Sequence, residues 1–325
     1  MRLLVTGATG FIGRRVVRRF ARKGHQVAAL SRRPERARAV LPELDAVFAW
    51  GPPAGGGPES PPAEAFGGMH AVIHLAGESV AGRWTRAKRA EIHRSRAEGT
   101  RRLVQAIASS RERPAVLISM SAIGYYGSRG EETLTESSGP GDDFLASVCR
   151  AWEEEAMHAA ELGVRVVRLR CGIALGEDGG ALRSLLLPAR LGLAGPLGSG
   201  RQWWSWIHVD DVVRLMEHVL EHDLSGPVNA TAPQPVRQRE FARALGRVLR
   251  RPAVLPVPAP VLKLVLGGFA CEVLDSKRVL PQRALASGFR FQFETLDAAL
   301  DAIVGDGAQP GRGRRWLESN HREHG

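Results

Sequence analysis

Three glycines near the start of the chain are spaced to hold a diphosphate. Leu3-Leu4-Val5 leads into Thr6-Gly7-Ala8-Thr9-Gly10-Phe11-Ile12-Gly13, and an amphipathic run from Phe11 to Lys23 leads out. The pattern predicts a strand, a tight turn and a helix. Gly7 allows a turn that a side chain would obstruct. Gly10 lets backbone N–H groups approach a pyrophosphate, and Gly13 lets the helix lie against the strand. Phosphates would then sit at the helix N-terminus, where free N–H groups and the helix dipole favour negative charge. A second strand, Gln26 to Leu30, follows at once. The chain opens as a dinucleotide-binding unit, with Gly7, Thr9, Gly10, Phe11, Ile12 and Gly13 forming its phosphate turn.

The next residues select the dinucleotide. NAD enzymes of this architecture place Asp or Glu about 20 residues past the glycines, on the ribose 2′-OH. Here that place is Ser31, and the first carboxylate is Glu35. Arg32 can pair instead with a 2′-phosphate, so NADP(H) is expected over NAD.

Strands must position this turn. Ala46 to Trp50 reads as one, residues 51–68 as a surface loop, and residues 71–77 as a buried strand ending in small residues. His74 within it reads as a core or cofactor-lining histidine. A long helical stretch runs from Trp84 to Ser109, with Ala87, Ala90, Leu103, Val104 and Ile107 as inward positions. Ala115 to Met120 is a strand, residues 142–162 a helix, and Val164 to Arg170 a further strand. Strands alternating with helices argue for a parallel, doubly wound α/β sheet.

The rhythm changes after Arg170. Residues 182–193 are helical, and Asp210 or Asp211 is placed to cap a later helix. Residues 252–300 hold short helices and a strand, Phe289 to Phe293. The expected organisation is a Rossmann domain over 1–175, with 204–232 returning to it. A smaller substrate-side lobe takes 176–203 and 233–304, of which about 250–303 is a small C-terminal domain. Residues from 305 to 325 read as a disordered tail.

Composition narrows the partners. The net charge is +11, but only four residues are lysine, and the arginines are spread along helices rather than packed into one basic block. Solvated helix faces explain that better than nucleic-acid binding. Three cysteines without a Cys-x-x-Cys pair suit a reducing cytoplasm. No signal-peptide core precedes the first strand. No apolar run approaches the roughly 20 residues of a membrane span, so no membrane partner is expected. His218-Val219-Leu220-Glu221-His222 spells an inverted zinc-protease motif. No further ligand set accompanies it, and no metal is expected.

Several motifs occur in order: Leu75-Ala76-Gly77-Glu78, Arg83-Trp84, Ser121-Ala122 with Gly124-Tyr125-Tyr126-Gly127, and Gly192-Leu193-Ala194-Gly195-Pro196-Leu197-Gly198-Ser199-Gly200. Trp206-Ile207-His208, Pro227-Val228-Asn229-Ala230-Thr231-Ala232-Pro233 and Arg278-Val279-Leu280-Pro281 follow. Together they resemble an atypical extended short-chain dehydrogenase/reductase family, the nucleoside-diphosphate-sugar epimerase-like proteins with a C-terminal domain of unknown function. The resemblance covers about residues 1–303 and implies NADP(H) on a Rossmann core, with no known substrate. It implies that Leu75, Ala76 and Gly77 pass under the cofactor's ribose and that Ala174 joins the cofactor site. Arg96-Ala97-Glu98-Gly99-Thr100 matches the superfamily's Asn-x-x-Gly-Thr with Arg96 for Asn, and Glu91 is expected to place Arg96 by charge. Extended enzymes are often dimers, and a homodimer is expected by that analogy.

The chain departs from the superfamily at its chemistry. Ordinary members use Ser/Thr with Tyr-x-x-x-Lys, the Lys and the oxidised nicotinamide lowering the Tyr pKa. Here Leu145 stands for the Tyr and Cys149 for the Lys, while Ser121 keeps the hydroxyl position. Tyr125 and Tyr126 are the only phenols in the chain. They and Glu78 are the alternative acid/base candidates, all at expected C-terminal strand ends. Two functions follow: an NADP(H)-dependent epimerase-like oxidoreductase of unknown substrate with a rearranged acid/base group, or a catalytically silent NADP(H)-binding sensor or regulatory protein.

Overall fold

Strand β1 (Arg2–Thr6), which feeds the glycine turn, sits inside a seven-stranded parallel sheet. This computed structural model describes residues 1–51 and 59–305, so the expected tail beyond Gly305 lies outside the described residues. The other strands are β2 (Gln26–Ser31), β3 (Ala46–Ala49), β4 (Ala71–His74), β5 (Val116–Ala122), β7 (Arg165–Cys171) and β11 (Gly226–Ala230), with a short β6 (Thr133–Leu134) outside the sheet. Their order is β11-β7-β5-β4-β1-β2-β3. Strand order reverses between β1 and β4, which opens a crevice at their carboxyl ends.

Helices α1 (Gly13–Arg22), α2 (Pro34–Val40), α3 (Arg86–Ser109) and α4 (Phe144–Met157) make the crossovers. Along β1, Leu3 and Val5 join one core cluster with Val16, Val17 and Phe20 of α1. Leu4 joins the cluster on the opposite face with Val72, Leu103 and Ile107. Alternate residues feed opposite layers, so a strand covered on both faces is apolar throughout. Each such side chain contributes about 1.5–3 kcal/mol of burial.

Four local expectations need correction. Ala87 and Ala90 are exposed, and burial along α3 begins at Ile92. A helix of 24 residues is about 36 Å long and overhangs strands of roughly 13–23 Å. Of the expected surface loop 51–68, residues 52–58 lie outside the described residues, and the remainder contains a short turn of helix, Ala63–Phe66, that buries Ala65 and Phe66 in the core cluster of Leu4 and Val72.

The other two corrections share a cause. Neither Asp210 nor Asp211 caps α6 (Val209–Glu221); the cap is His208, whose Nδ1 accepts the Asp210 N–H at 3.1 Å. Asp211 is fully buried and instead accepts the N–H groups of Gln292 and Phe293 at 2.8 and 2.9 Å. Residues 289–293 therefore form no strand. They bury Phe289 and Phe291 at strand-like spacing, but a carboxylate takes the donors that a neighbouring strand would need.

The remainder of the chain packs at the carboxyl end of the sheet. Strand β8 (Ile173–Gly176) pairs with β10 (Trp206–His208), β9 (Trp203–Trp204) with β12 (Val236–Arg237), and β6 with β13 (Arg278–Val279). Helices α5 (Gly180–Arg190), α7 (Gln238–Leu249) and α11 (Leu296–Val304) share a separate core with Trp204, Trp206 and Phe241. Helices α8 (Ala259–Leu266) and α9 (Ala270–Leu274) follow, and α10 (Gln282–Ala286) returns to β11, its Ala284 buried in the sheet's own core cluster.

Candidate cofactor cleft and the buried network beside it

The glycine turn is shaped by contacts that leave no room for side chains. Gly7 has φ +67°, and a Cβ there would come within 2.9 Å of the Leu75 carbonyl carbon. A Cβ on Gly13 would overlap the Gly7 carbonyl oxygen. The turn is thus pressed onto the end of β4 at the point where strand order reverses. No side chain caps α1, and its first turn has no acidic residue. The N–H groups of Phe11, Ile12 and Gly13 have no partner among the described residues. Free donors, a helix dipole and a side-chain-free floor fit a diphosphate. Phe11 is clamped by the turn after β8, where Cβ atoms on Gly176 and Gly180 would lie 2.7 and 3.0 Å from its ring. Arg14 and Arg15 fasten that turn through Asp178 at 2.9 and 2.6 Å. This brings Ala174, on β8, to the same end of the sheet as the turn.

At the end of β2, Ser31 Oγ accepts the Arg33 N–H at 3.1 Å, and Arg32 is exposed. Its aliphatic stem covers Gly51, where a Cβ would come within 2.5 Å. No partner among the described residues engages its guanidinium. That leaves a fixed stem with an available cation, which suits a 2′-phosphate.

The end of β4 is set by His74, which is a core residue rather than one facing the cleft. Thr6 Oγ1 accepts the N–H groups of Leu75 and Ala76, both at 3.1 Å, so its own hydrogen goes to His74 Nδ1 at 2.7 Å. The other ring nitrogen therefore carries the proton and reaches Thr100 at 3.0 Å. Burial pushes the His74 pKa down to about 4. Past Gly77, Glu78 pairs with Lys88 at 2.5 Å. Arg96 lies under Gly77 and donates to the Glu78 carbonyl at 2.9 Å. Glu91 does not place it, because Glu91 pairs with Arg94. Arg96 stacks 5.1 Å over Trp152, and burial lowers its pKa.

Ser121, Tyr125 and Tyr126 converge on a network that the sequence reading did not contain. Ser121 and Arg170 are ladder partners on β5 and β7. Arg170 grips Glu153 of α4 through Nε and a terminal nitrogen, both at 2.8 Å. Ser121 donates to the same carboxylate at 2.7 Å. Ser121 is 2% exposed, so its hydroxyl is committed inside the protein rather than offered to a substrate carbonyl. Tyr126 is fully buried; its hydroxyl donates to Asn229 at 2.7 Å and accepts from Arg170 at 3.0 Å. Burial pushes its pKa up to about 12, outweighing Arg170. It is a structural phenol, not an available acid. Tyr125 differs. It is half-buried, with the Arg170 guanidinium 3.4 Å from its ring centre.

Residues 3–231 match the NAD dependent epimerase/dehydratase family. The chain belongs to that family. Residues 257–303 match a domain of unknown function, DUF1731. The epimerase family protein SDR39U1 homolog of Arabidopsis thaliana, described as chloroplastic, is 42% identical over 94% of this chain and 87% of its own. The epimerase family protein YfhF of Bacillus subtilis is 38% identical over 94% and 99%. The crystal structure of human SDR39U1 with NADPH superposes with a TM-score of 0.81 at 34% identity, covering 94% of this chain and 99% of that one.

Leu145 and Cys149, the residues expected at the Tyr and Lys positions, both lie in buried packing. Leu145 is 7% exposed and packs with Ile92 and Val148, edged by Val80, Trp84 and Phe144. Cys149 is buried, which pushes its thiol up to about 12 and makes it inert. The residues missed in the sequence are Glu153, Arg170 and Asn229. A signal for two of them was present. Arg168 and Arg170 break the apolar run of β7, and a buried cation such as Arg170 needs a buried carboxylate. Glu153 of α4 answers both, at 3.3 Å from Arg168.

Proposed function

We propose that this chain is an NADP(H)-binding, epimerase-like oxidoreductase. One observation carries the reading: a carboxylate-free, uncapped helix start, with the available guanidinium of Arg32 just past the end of the neighbouring strand. The human relative's NADPH supports it. Gly7 to Gly13 would hold the diphosphate, Ser31 and Arg32 the 2′-phosphate, and residues 75–77, Arg96 and Ala174 the remainder. When bound, NADPH supplies a hydride. Tyr125 is the phenol left to supply the proton, held by Arg170. A phenol carries a proton to give, which suits carbonyl reduction. Glu78 is the reserve candidate, restrained by Lys88.

Calorimetry tests the cofactor reading. A charge-assisted pair to phosphate is worth about 1.5–3 kcal/mol, so Arg32→Ala should weaken NADPH roughly 10- to 100-fold and leave NADH unchanged. Equal wild-type affinity for the two cofactors would sink it.

A second reading is favoured by Leu145 and by the committed hydroxyl of Ser121: a protein that binds NADP(H) without turnover, as a sensor or regulator. Deuterium from C4-labelled NADPH, offered with a panel of aldehydes and ketones, separates the two. Label in any alcohol product selects the enzyme, and binding without transfer selects the sensor.

A further inference from the structure

Most of the bare apolar side chains among the described residues are gathered in one region. Leu187, Leu191, Leu193, Val254, Leu255, Val261, Leu264 and Val265 are 46–75% exposed. Elsewhere among the described residues only Met1, Val40 and Leu285 are comparably bare. The eight fall in two segments that run side by side. Val257 donates to the Pro196 carbonyl and accepts from Gly198, both at 2.8 Å. A Cβ on Gly192 would touch Pro252 at 3.4 Å, and Gly195 closes against the Leu255 backbone. On α5 and its end, Arg183, Leu187, Arg190 and Leu191 share one helical face. On α8, Val261, Leu264 and Val265 do the same, and only Leu262 is buried.

The charge carried by these two segments has one sign. Residues 180–198 and 251–270 contain no Asp or Glu. Arg183, Arg190, Arg251 and Lys263 are all exposed. None of these four makes an ion pair among the described residues, whereas arginines of α1 and α3 find carboxylates. An exposed apolar patch of this extent marks an interaction surface. A rim of cations without counter-charge sets what the partner must carry.

We propose that this face docks on an anionic lipid surface. An amphipathic helix with basic neighbours lies in the headgroup plane, its apolar face buried and its cations on lipid phosphate. The expectation of no membrane partner rested on the absence of a spanning run, and a surface helix needs none. Helix α8 has eight residues and is about 12 Å long, too short to cross. A second copy is a poorer occupant. A twofold contact lays a patch on itself, setting these cations against their own copies, and neither segment supplies a carboxylate to answer them. Helix α8 continues into Gly267 and Gly268, where Cβ atoms would lie 3.5 Å from Arg83 and 3.0 Å from Trp84. The docked face thus adjoins the loop that follows β4 at the cleft.

Co-sedimentation of the full chain with vesicles of phosphatidylglycerol or of phosphatidylcholine tests this. Binding at low salt should be at least tenfold stronger on the anionic vesicles and fall steeply by about 0.5 M salt, where screening is short-ranged. Leu187→Glu with Leu264→Glu should abolish it, and Arg190→Glu with Lys263→Glu should weaken it at least tenfold. Unchanged circular dichroism and melting temperature would show that the variants fold. Equal partition onto both vesicle types, or binding unaffected by either pair of changes, would overturn the proposal. So would a protein that ignores vesicles, whether monomeric or a dimer dissociated by Leu187→Glu.

Discussion

Glu153 and Arg170 form a two-point ion pair inside the protein, each side chain 3% exposed. Its members come from α4 and β7, and it also holds the hydroxyls of Ser121 and Tyr126. Breaking one side of a buried pair leaves an uncompensated charge, at about 3–5 kcal/mol. Arg170→Met should therefore destabilise by that amount in urea titrations. Glu153→Leu with Arg170→Met should cost less than Arg170→Met alone. Strictly additive losses would show that the two residues are not coupled.

The two tyrosines should separate in one experiment. Tyr126→Phe removes a hydroxyl that satisfies Arg170 and Asn229, and should cost about 1–3 kcal/mol of stability. It should spare NADPH-linked turnover of any carbonyl substrate found. Tyr125→Phe keeps the ring on Arg170, so it should melt like the wild type and lose most turnover. The opposite assignment of effects would remove Tyr125 from the mechanism.

His74 should make the protein acid-sensitive. Its folded pKa of about 4 lies below the ordinary 6.5, so between these values the unfolded chain binds more protons. Stability is full above pH 6.5, falls as pH drops toward 4, and levels off below. The total is about 3 kcal/mol. His25, His208 and His218 are also lowered and add in the same direction. His74→Gln should show a shallower decline over this window than the wild type in denaturant midpoints taken at several pH values. An identical slope would mean that His74 is not buried neutral.

Glycine roles can be compared at two helical positions. A Cβ on Gly13 would strike the Gly7 carbonyl, whereas one on Gly99 meets nothing within 4 Å. Gly13→Ala should weaken NADPH binding at least tenfold by calorimetry. Gly99→Ala should leave binding unchanged and stabilise α3 by about 0.5–1 kcal/mol. Normal NADPH affinity in Gly13→Ala would argue against the turn as the phosphate site.

The sheet and the phosphate turn were legible in the sequence because both are local. Gly7, Gly10 and Gly13 sit within one turn, and the alternation of strands and helices is periodic along the chain. The carboxylate missing at Ser31 could be read for the same reason. The chemistry beside the cleft could not, because it is assembled across the sheet. Glu153 reaches Arg170 only once α4 lies over β5 and β7, and Tyr126 reaches Asn229 only through β11. Tyr125 and Tyr126 look equivalent in sequence. One turn of backbone sends one ring into the core and leaves the other half-covered by Arg170. Phe289 to Phe293 carries strand spacing, yet becomes no strand because Asp211, far away in sequence, takes its backbone donors. Short-range pattern determined which elements form. Long-range packing decided which polar groups lose water, and so which can act.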